Sequence, residues 1–227
     1  MALCLHGFPD TAHTWRHLLP RLAEAGYRAV APFLRGYAPT GVPADGRYQT
    51  GVLSADAVAL HEALGGDGDA VIVGHDWGAF ATYGAAVHEP ARWRRVVTAA
   101  VPPLAAMADA YFTYDQVKRS FYIFFFQTPF ADVAVPLNDL EFVARLWADW
   151  SPGYDATEDL AHVRAAIGDP ENLTAAIGYY RRDVRTHPAT IPSWPTSRRR
   201  RRASRPSRLS TSTAATTVAS ASSSPRT

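Results

Sequence analysis

Short apolar runs alternate with longer amphipathic segments along the first part of the chain. The apolar runs, which are typical of buried strands, cover residues 2–5, 27–34, 70–73 and 95–101. Residues 11–26 and 50–64 carry apolar side chains at helical spacing, and a third helix begins near Trp77. Because strands that alternate with helices pair in parallel through right-handed crossovers, the pattern predicts an α/β fold with helices on both faces of a parallel sheet.

The pattern changes at Pro102-Pro103. Helical segments without intervening strands follow at residues 111–126, 137–150, 157–167 and 173–184. Residues 193–227 are dominated by Ser, Thr, Ala, Arg and Pro, and such a segment cannot bury enough apolar surface to fold. We therefore expect three regions: a partial core with an incomplete sheet at 1–102, a helical cap at 103–190 and a disordered tail at 191–227.

Composition narrows the class of protein. Of the 227 residues, 47% are hydrophobic and 19% are charged, which is ordinary for a globular protein. The single cysteine, Cys4, excludes an internal disulfide and, with no secretory signal in view, favours a cytoplasmic location. The apolar stretch at 121–126 is far shorter than the ~20 residues of a membrane span, so we expect no membrane partner.

The charge distribution raises nucleic-acid binding as an alternative function. The net charge is +2, but residues 193–227 hold eight arginines and no acid, so the rest of the chain is mildly acidic. Basic runs such as residues 198–202 bind phosphates. Trp194 is the only aromatic residue in the tail for stacking on bases, however, so we rank nucleic acid below a small-molecule partner.

The first candidate motif is Gly74-His75-Asp76-Trp77-Gly78, between an apolar strand and a helix. Its Gly-x-nucleophile-x-Gly spacing fits a sharp strand-to-helix turn. The flanking residues of such a turn must be small, and the helix N-terminus behind it favours an anionic side chain. A simpler interpretation is that Asp76 only caps the helix.

The second motif, His6-Gly7-Phe8-Pro9, directly follows the first strand. An ordinary turn between strand and helix is its simpler interpretation. The two motifs are connected by a βαβ pattern, and the turn around Asp76 is called the elbow below. Taken together, residues 2 to about 185 resemble the epoxide-hydrolase branch of the α/β-hydrolase family. The resemblance implies that the backbone N–H groups of Phe8 and Trp77 form an oxyanion hole.

An aspartate where esterases have serine changes the expected chemistry. A carboxylate can attack a saturated carbon that bears a leaving group, and water then hydrolyses the resulting alkyl-enzyme ester. Epoxide hydrolases and haloalkane dehalogenases share this route. Phe8-Pro9 is more similar to the epoxide hydrolases, so we expect an epoxide or related electrophile as substrate and keep a haloalkane dehalogenase-like hydrolase as the alternative.

The resemblance also implies that two tyrosines in the cap donate hydrogen bonds to the epoxide oxygen. Tyr122 matches the first position, and Tyr180, within Tyr179-Tyr180-Arg181, matches the second. Either side chain could instead be a core aromatic whose hydroxyl has a structural partner. The resemblance implies neither a metal nor a cofactor, and the sequence leaves the oligomeric state open.

The sequence lacks a well-placed general base for the second step. The family uses a histidine that follows the last strand and is held by an acid. His187 is the only late candidate, and nothing follows it that would fold it back over Asp76. His6 and His75 belong to the two motifs. The remaining histidines fall on predicted helices and are expected at the surface: His13, His17, His61, His88 and His162. We therefore expect a chain that is inactive or limited to a single turnover.

The resemblance further implies a chain shortened at both ends. The family has two strands before the one at residues 2–5. Read two bases later within each codon, residues 207–219 can encode an apolar strand ending in His-Gly-x-Asp-Asp, which is similar to the family's seventh strand and its acid. We expect the tail from about residue 193 to be a shifted reading of that segment.

Overall fold

A four-stranded parallel sheet forms the centre of the structure. The computed structural model describes residues 1–107, 111 and 113–186, all within one compact unit. In spatial order the strands are β2 (Ala29–Val30), β1 (Ala2–Leu5), β3 (Ala70–His75) and β4 (Trp93–Ala99). All three neighbouring pairs of strands are parallel, so the α/β class predicted from the sequence is confirmed.

Helices connect these strands and then continue without further strands in the described residues. The connecting helices are α1 (Leu18–Glu24), α2 (Thr50–Ala63) and α3 (Trp77–His88), with short 3-10 turns at Ala12–Trp15 and Pro90–Arg92. The helices after β4 are α4 (Leu104–Met107), α5 (Tyr114–Arg119), α6 (Phe121–Phe125), α7 (Phe130–Ala134), α8 (Leu137–Trp150), α9 (Thr157–Ile167) and α10 (Pro170–Thr186).

Both faces of the central strands are covered. Leu3 and Leu5 of β1 and Ile72 of β3 belong to the larger apolar core, which also includes side chains of α2, α3 and the later helices. The intervening residues of the same two strands point to the other face of the sheet. They form a second apolar cluster that packs against α1: Ala2, Cys4, Val71 and Val73. Because successive strand residues face opposite sides, burial of both faces accounts for the uninterrupted apolar runs in the sequence.

Two predicted elements are shorter than the sequence suggested. The strand predicted at 27–34 is limited to Ala29–Val30, which pair with Ala2 and Leu3 of β1; Pro32 has no N–H to continue the ladder. The helix predicted at 11–26 divides into a 3-10 turn and α1. Pro20 is tolerated only in the first turn of a helix, so α1 begins at Leu18.

The remaining helix predictions agree closely with the structure. The segments 137–150 and 157–167 coincide with α8 and α9, although residues 138–140 have left-handed backbone angles. The segment 111–126 contains two helices, α5 and α6, and α7 was not predicted. None of the helices in this part of the chain has the length and apolarity needed to cross a bilayer. The tail predicted at 191–227 lies outside the described residues, and the division between core and cap stays a prediction.

Candidate active site

Asp76 occupies the turn between β3 and α3. Its backbone angles are φ 52° and ψ −118°, a conformation that is costly for a residue with a side chain and recurs at functional turns. An ordinary N-cap residue has an extended backbone and a side chain that accepts from the first helical turn. Asp76 has neither property, since its side chain makes no capping hydrogen bond. The interpretation of Asp76 as a simple helix cap is therefore not supported.

The glycines of both motifs allow the turn to lie close to β1. A methyl group at Gly78 would overlap the carbonyl oxygen of Leu5, and one at Gly74 would overlap the carbonyl oxygen of Gly78. A methyl group at Gly7 would overlap the carboxylate of Asp76 itself. Backbone contact at this distance explains why the motifs require glycine at these positions.

Two backbone N–H groups face the carboxylate of Asp76. The N–H of Phe8 donates to Oδ1 at 2.8 Å, and the N–H of Trp77 also favours the ionised form of the carboxylate. Burial raises the pKa of Asp76 above its usual range, whereas these two N–H groups and the charge of His75 oppose the rise. The structure thus brings together Asp76 and both groups predicted for the oxyanion hole.

Tyr180 and Tyr122 lie together above this carboxylate. Their ring centroids are 5.6 Å apart at an interplanar angle of 83°, and Tyr180 also contacts Phe8 and Trp77. Burial, followed by the negative charge of Asp76, raises the pKa of both phenols, so both carry their protons at neutral pH. Both hydroxyls therefore keep a proton to donate beside the Asp76 carboxylate.

The adjacent tyrosines 179 and 180 differ in how their hydroxyls are used. The hydroxyl of Tyr179 donates to the carbonyl oxygen of Arg35 at 2.8 Å, which is a structural role. The hydroxyl of Tyr180 is buried and makes no hydrogen bond of full geometry among the described residues, although the Tyr122 hydroxyl and the Trp77 side chain lie near enough to act on it. Since buried polar groups are normally fully paired, this hydroxyl can accommodate a ligand oxygen.

Contacts from α10 hold Tyr180 in place. The guanidinium of Arg181 donates to the carbonyl oxygens of Phe126 at 2.6 Å and Thr128 at 3.2 Å. The side chain of Gln127 donates to the carbonyl oxygen of Tyr180 at 3.2 Å. These bonds connect α10 to the segment that directly follows α6. Because Tyr122 lies on α6 and Tyr180 on α10, they fix the two tyrosines relative to each other.

His6 has structural partners at both ring nitrogens, and His75, which directly precedes Asp76, acts on the carboxylate through its charge. The ring of His6 is buried, with Nδ1 3.0 Å from the carbonyl oxygen of Gly7, and Nε2 accepts from the N–H of Leu34 at 3.0 Å. Burial lowers the pKa of His6 to about 4, so this imidazole is neutral. No histidine in residues 1–107 or 113–186 forms a hydrogen bond or ion pair with Asp76. His187 lies outside the described residues.

The prediction that His61 is a surface residue is wrong. Its side chain is buried, its ring meets Trp93 edge-on at 4.7 Å, and Nε2 lies 3.1 Å from the carbonyl oxygen of Asp67. The helical spacing of α2 did not reveal this, because the burial comes from the turn and strand that pack beside the helix.

In the described part of the chain, no group of three His, Cys, Asp or Glu side chains is placed to hold a metal ion.

The sequence did not indicate two further polar groups near the site. The indole N–H of Trp77 and the hydroxyl of Tyr37 are buried, and neither has a partner within the described ranges. The Tyr37 ring meets His6 edge-on at 4.8 Å, and the charge of Asp76 contributes to a pKa raised mainly by burial.

A strained Gly-x-Asp-x-Gly turn at the carboxyl end of a strand in a parallel sheet, faced by two backbone N–H groups, has the geometry of the nucleophile elbow of α/β hydrolases. The chain belongs to the α/β-hydrolase fold family, whose model matches residues 3–148. Its sequence is 37% identical over 181 residues to an epoxide hydrolase of Caballeronia sordidicola, which covers 73% of this chain and 53% of that protein. It is 33% identical over 202 residues to epoxide hydrolase A of Mycobacterium tuberculosis, covering 86% and 58%.

A solved structure gives the same grouping. The crystal structure of Bacillus megaterium epoxide hydrolase in complex with an inhibitor matches with a TM-score of 0.69 and 28% identity, covering 79% of this chain and 64% of that one. Within the family, these similarities place the chain in the epoxide-hydrolase branch. The chain spans 53% and 58% of the two curated relatives.

Proposed function

We propose that the chain opens an epoxide through an ester of Asp76. Oδ1 of Asp76 accepts from the Phe8 N–H, which leaves Oδ2 to attack a ring carbon. The carbon–oxygen bond of the epoxide breaks as the new ester bond forms, and the departing oxygen takes a proton from Tyr122 or Tyr180. The product is a hydroxyalkyl ester in which Oδ1 has become the carbonyl oxygen.

The observation that carries this proposal is the pairing of a buried carboxylate with two buried phenols that bear on each other and on its charge. The Tyr180 hydroxyl makes no hydrogen bond of full geometry in the described part, interacts with the Tyr122 hydroxyl, and its ring contacts the residues that flank the carboxylate. An epoxide oxygen supplies a further acceptor for these phenols and needs a proton as its bond to carbon breaks. The epoxide-hydrolase relatives support the same substrate class.

The second step needs a base that the described residues do not supply. Water attacks the ester carbonyl, and the N–H groups of Phe8 and Trp77 stabilise the oxyanion on Oδ1. Deprotonation of that water requires a general base beside the ester, and none of the described histidines forms a hydrogen bond or ion pair with the Asp76 side chain. We therefore propose that the 227-residue chain forms the ester once and turns over slowly or not at all.

A time course with styrene oxide tests this proposal. Intact-mass spectrometry should show one added epoxide per chain, while diol release stays below one equivalent. The matched variant Asp76→Asn keeps the shape of the side chain and should show no added mass. Diol produced over many equivalents would contradict the single-turnover proposal, and wild-type protein without any adduct would contradict the ester mechanism.

One observation favours a dehalogenase-like reaction as the second candidate. The indole N–H of Trp77 is buried without a partner in the described residues, and an N–H donor stabilises a departing halide. Release of bromide from 2-bromoethylbenzene, compared with loss of styrene oxide under the same conditions, separates the two substrate classes. Faster reaction of the bromide would favour this candidate.

Nucleic-acid binding through the arginine-rich tail remains a prediction, because residues 193–227 lie outside the described structure. Salt-sensitive RNA binding that disappears when these residues are deleted would support it. Salt-independent or absent binding would contradict it.

A further inference from the structure

Trp77 and Tyr180 bring two unpartnered polar atoms into the same contact. The ring centroids are 5.0 Å apart at an interplanar angle of 76°. The indole Nε1 of Trp77 and the hydroxyl oxygen of Tyr180 are both buried, and neither makes a full hydrogen bond with any described residue. Because unpaired buried polar groups are rare, a donor and an acceptor in touching rings form a natural pair.

The other neighbours of the indole offer no alternative acceptor. The Tyr179 ring lies 5.5 Å from it, but its hydroxyl is directed to the carbonyl oxygen of Arg35. The Phe80 ring lies 5.4 Å away and has no polar atom. The indole also acts on Tyr180 in the direction expected of a donor: burial raises the pKa of that phenol, and the indole N–H opposes the rise.

We propose that the indole N–H of Trp77 donates to the phenolic oxygen of Tyr180 and so directs the Tyr180 proton towards the leaving oxygen of the substrate. A phenolic O–H prefers the plane of its ring, with two orientations. A donor on one side of the oxygen leaves the other side for the proton. Trp77 is then a positioning residue that acts through Tyr180, a role that rests on the proposed epoxide opening.

This role predicts an effect that depends on the leaving group. Trp77→Phe keeps an aromatic ring and the backbone N–H but removes the indole donor. An epoxide oxygen needs the Tyr180 proton, whereas a bromide of the same carbon skeleton leaves without one. We expect the ratio of epoxide to bromide alkylation rates at Asp76, measured by intact mass, to fall roughly tenfold in Trp77→Phe, a part of the usual effect of a general acid.

A double-variant comparison isolates the connection between the two residues. Trp77→Phe should slow epoxide alkylation in the wild-type background but have no further effect in Tyr180→Phe, since the residue through which it acts is already altered. Equal slowing in both backgrounds would overturn the proposal. A larger loss for the bromide than for the epoxide would also overturn it, because the indole would then serve the departing halide.

The hydrogen bond itself is tested without any reaction. In the proton–nitrogen NMR spectrum, the Trp77 indole resonance is the one absent from Trp77→Phe, and Tyr180→Phe should move it upfield while Tyr179→Phe leaves it in place. An unmoved resonance in Tyr180→Phe overturns the proposal whatever the protein catalyses. An upfield shift in a protein that forms no adduct would support the hydrogen bond and contradict the proposed function instead.

Discussion

The backbone N–H of Phe8 donates a 2.8 Å hydrogen bond to the carboxylate of Asp76, 68 residues later in the chain. This bond connects the turn after β1 to the turn after β3, two strands that are neighbours in the sheet. Under the proposed mechanism, the same N–H group that holds the carboxylate in the resting protein would stabilise an oxyanion during hydrolysis of the Asp76 ester. Four predictions follow from the residues around this bond.

Asp76→Asn should stabilise the protein at neutral pH. Burial raises the pKa of the Asp76 carboxyl in the folded state, so ionising it costs stability as the pH rises above the range of an unfolded aspartate. The variant removes this cost, and we expect a gain of about 1 kcal/mol at pH 7 that shrinks towards about pH 4. Urea unfolding of both proteins across this range measures it, and an advantage that grows at low pH would contradict the account.

Gly78→Ala should destabilise the fold, because its methyl group would overlap the carbonyl oxygen of Leu5 and push α3 away from β1. We expect a loss of about 3 kcal/mol in the free energy of unfolding. Gly41→Ala is the matched control, since nothing lies within 4 Å of the added methyl group. Similar losses in the two variants would show that the close contact at the elbow is not the cause.

Tyr179→Phe and Tyr37→Phe should have opposite consequences. The hydroxyl of Tyr179 donates to the Arg35 carbonyl oxygen, so its removal should cost about 1 kcal/mol. The hydroxyl of Tyr37 is buried without a partner among the described residues, so its removal should cost nothing or stabilise the protein. Chemical denaturation of the two variants measures the difference, and an equal loss in both would point to an unseen partner of Tyr37.

His6 should make the protein sensitive to mild acid. Its pKa is lowered to about 4 by burial, whereas an unfolded histidine titrates near pH 6.5, so stability should be lost as the pH falls through this window. The contribution of this one group is about 3 kcal/mol over the full window. In His6→Gln the slope of unfolding free energy against pH should flatten, while the exposed His88→Gln control retains it. An unchanged slope in His6→Gln would assign the acid sensitivity to other groups.

The sequence predicted those parts of the site that depend on local spacing. The elbow around Asp76 and the turn after β1 follow from glycine positions that a few neighbouring residues explain, and the structure places them together. The short β2 was not predicted, because its length depends on where the chain leaves the edge of β1 after two paired residues. Local periodicity does not contain this information.

The contacts between distant residues also escaped the sequence. Trp77 and Tyr180 are far apart in the chain, and no spacing rule relates an elbow residue to a residue of α10. The sequence narrowed the choice at 179–180 only through resemblance to a family. The structure adds the physical distinction, since the Tyr179 hydroxyl has a backbone acceptor, whereas the Tyr180 hydroxyl has no bond of full geometry among the described residues and faces Tyr122 instead.

In the proposed reaction the carboxylate of Asp76 is the nucleophile that forms the covalent ester. Locating the adduct tests this role most directly. After treatment with styrene oxide, peptide fragmentation should place the added mass on Asp76. It should persist in Asp10→Asn, which alters another buried carboxylate in the turn after β1, and disappear in Asp76→Asn. An adduct on any other residue, or one that survives Asp76→Asn, would contradict the account.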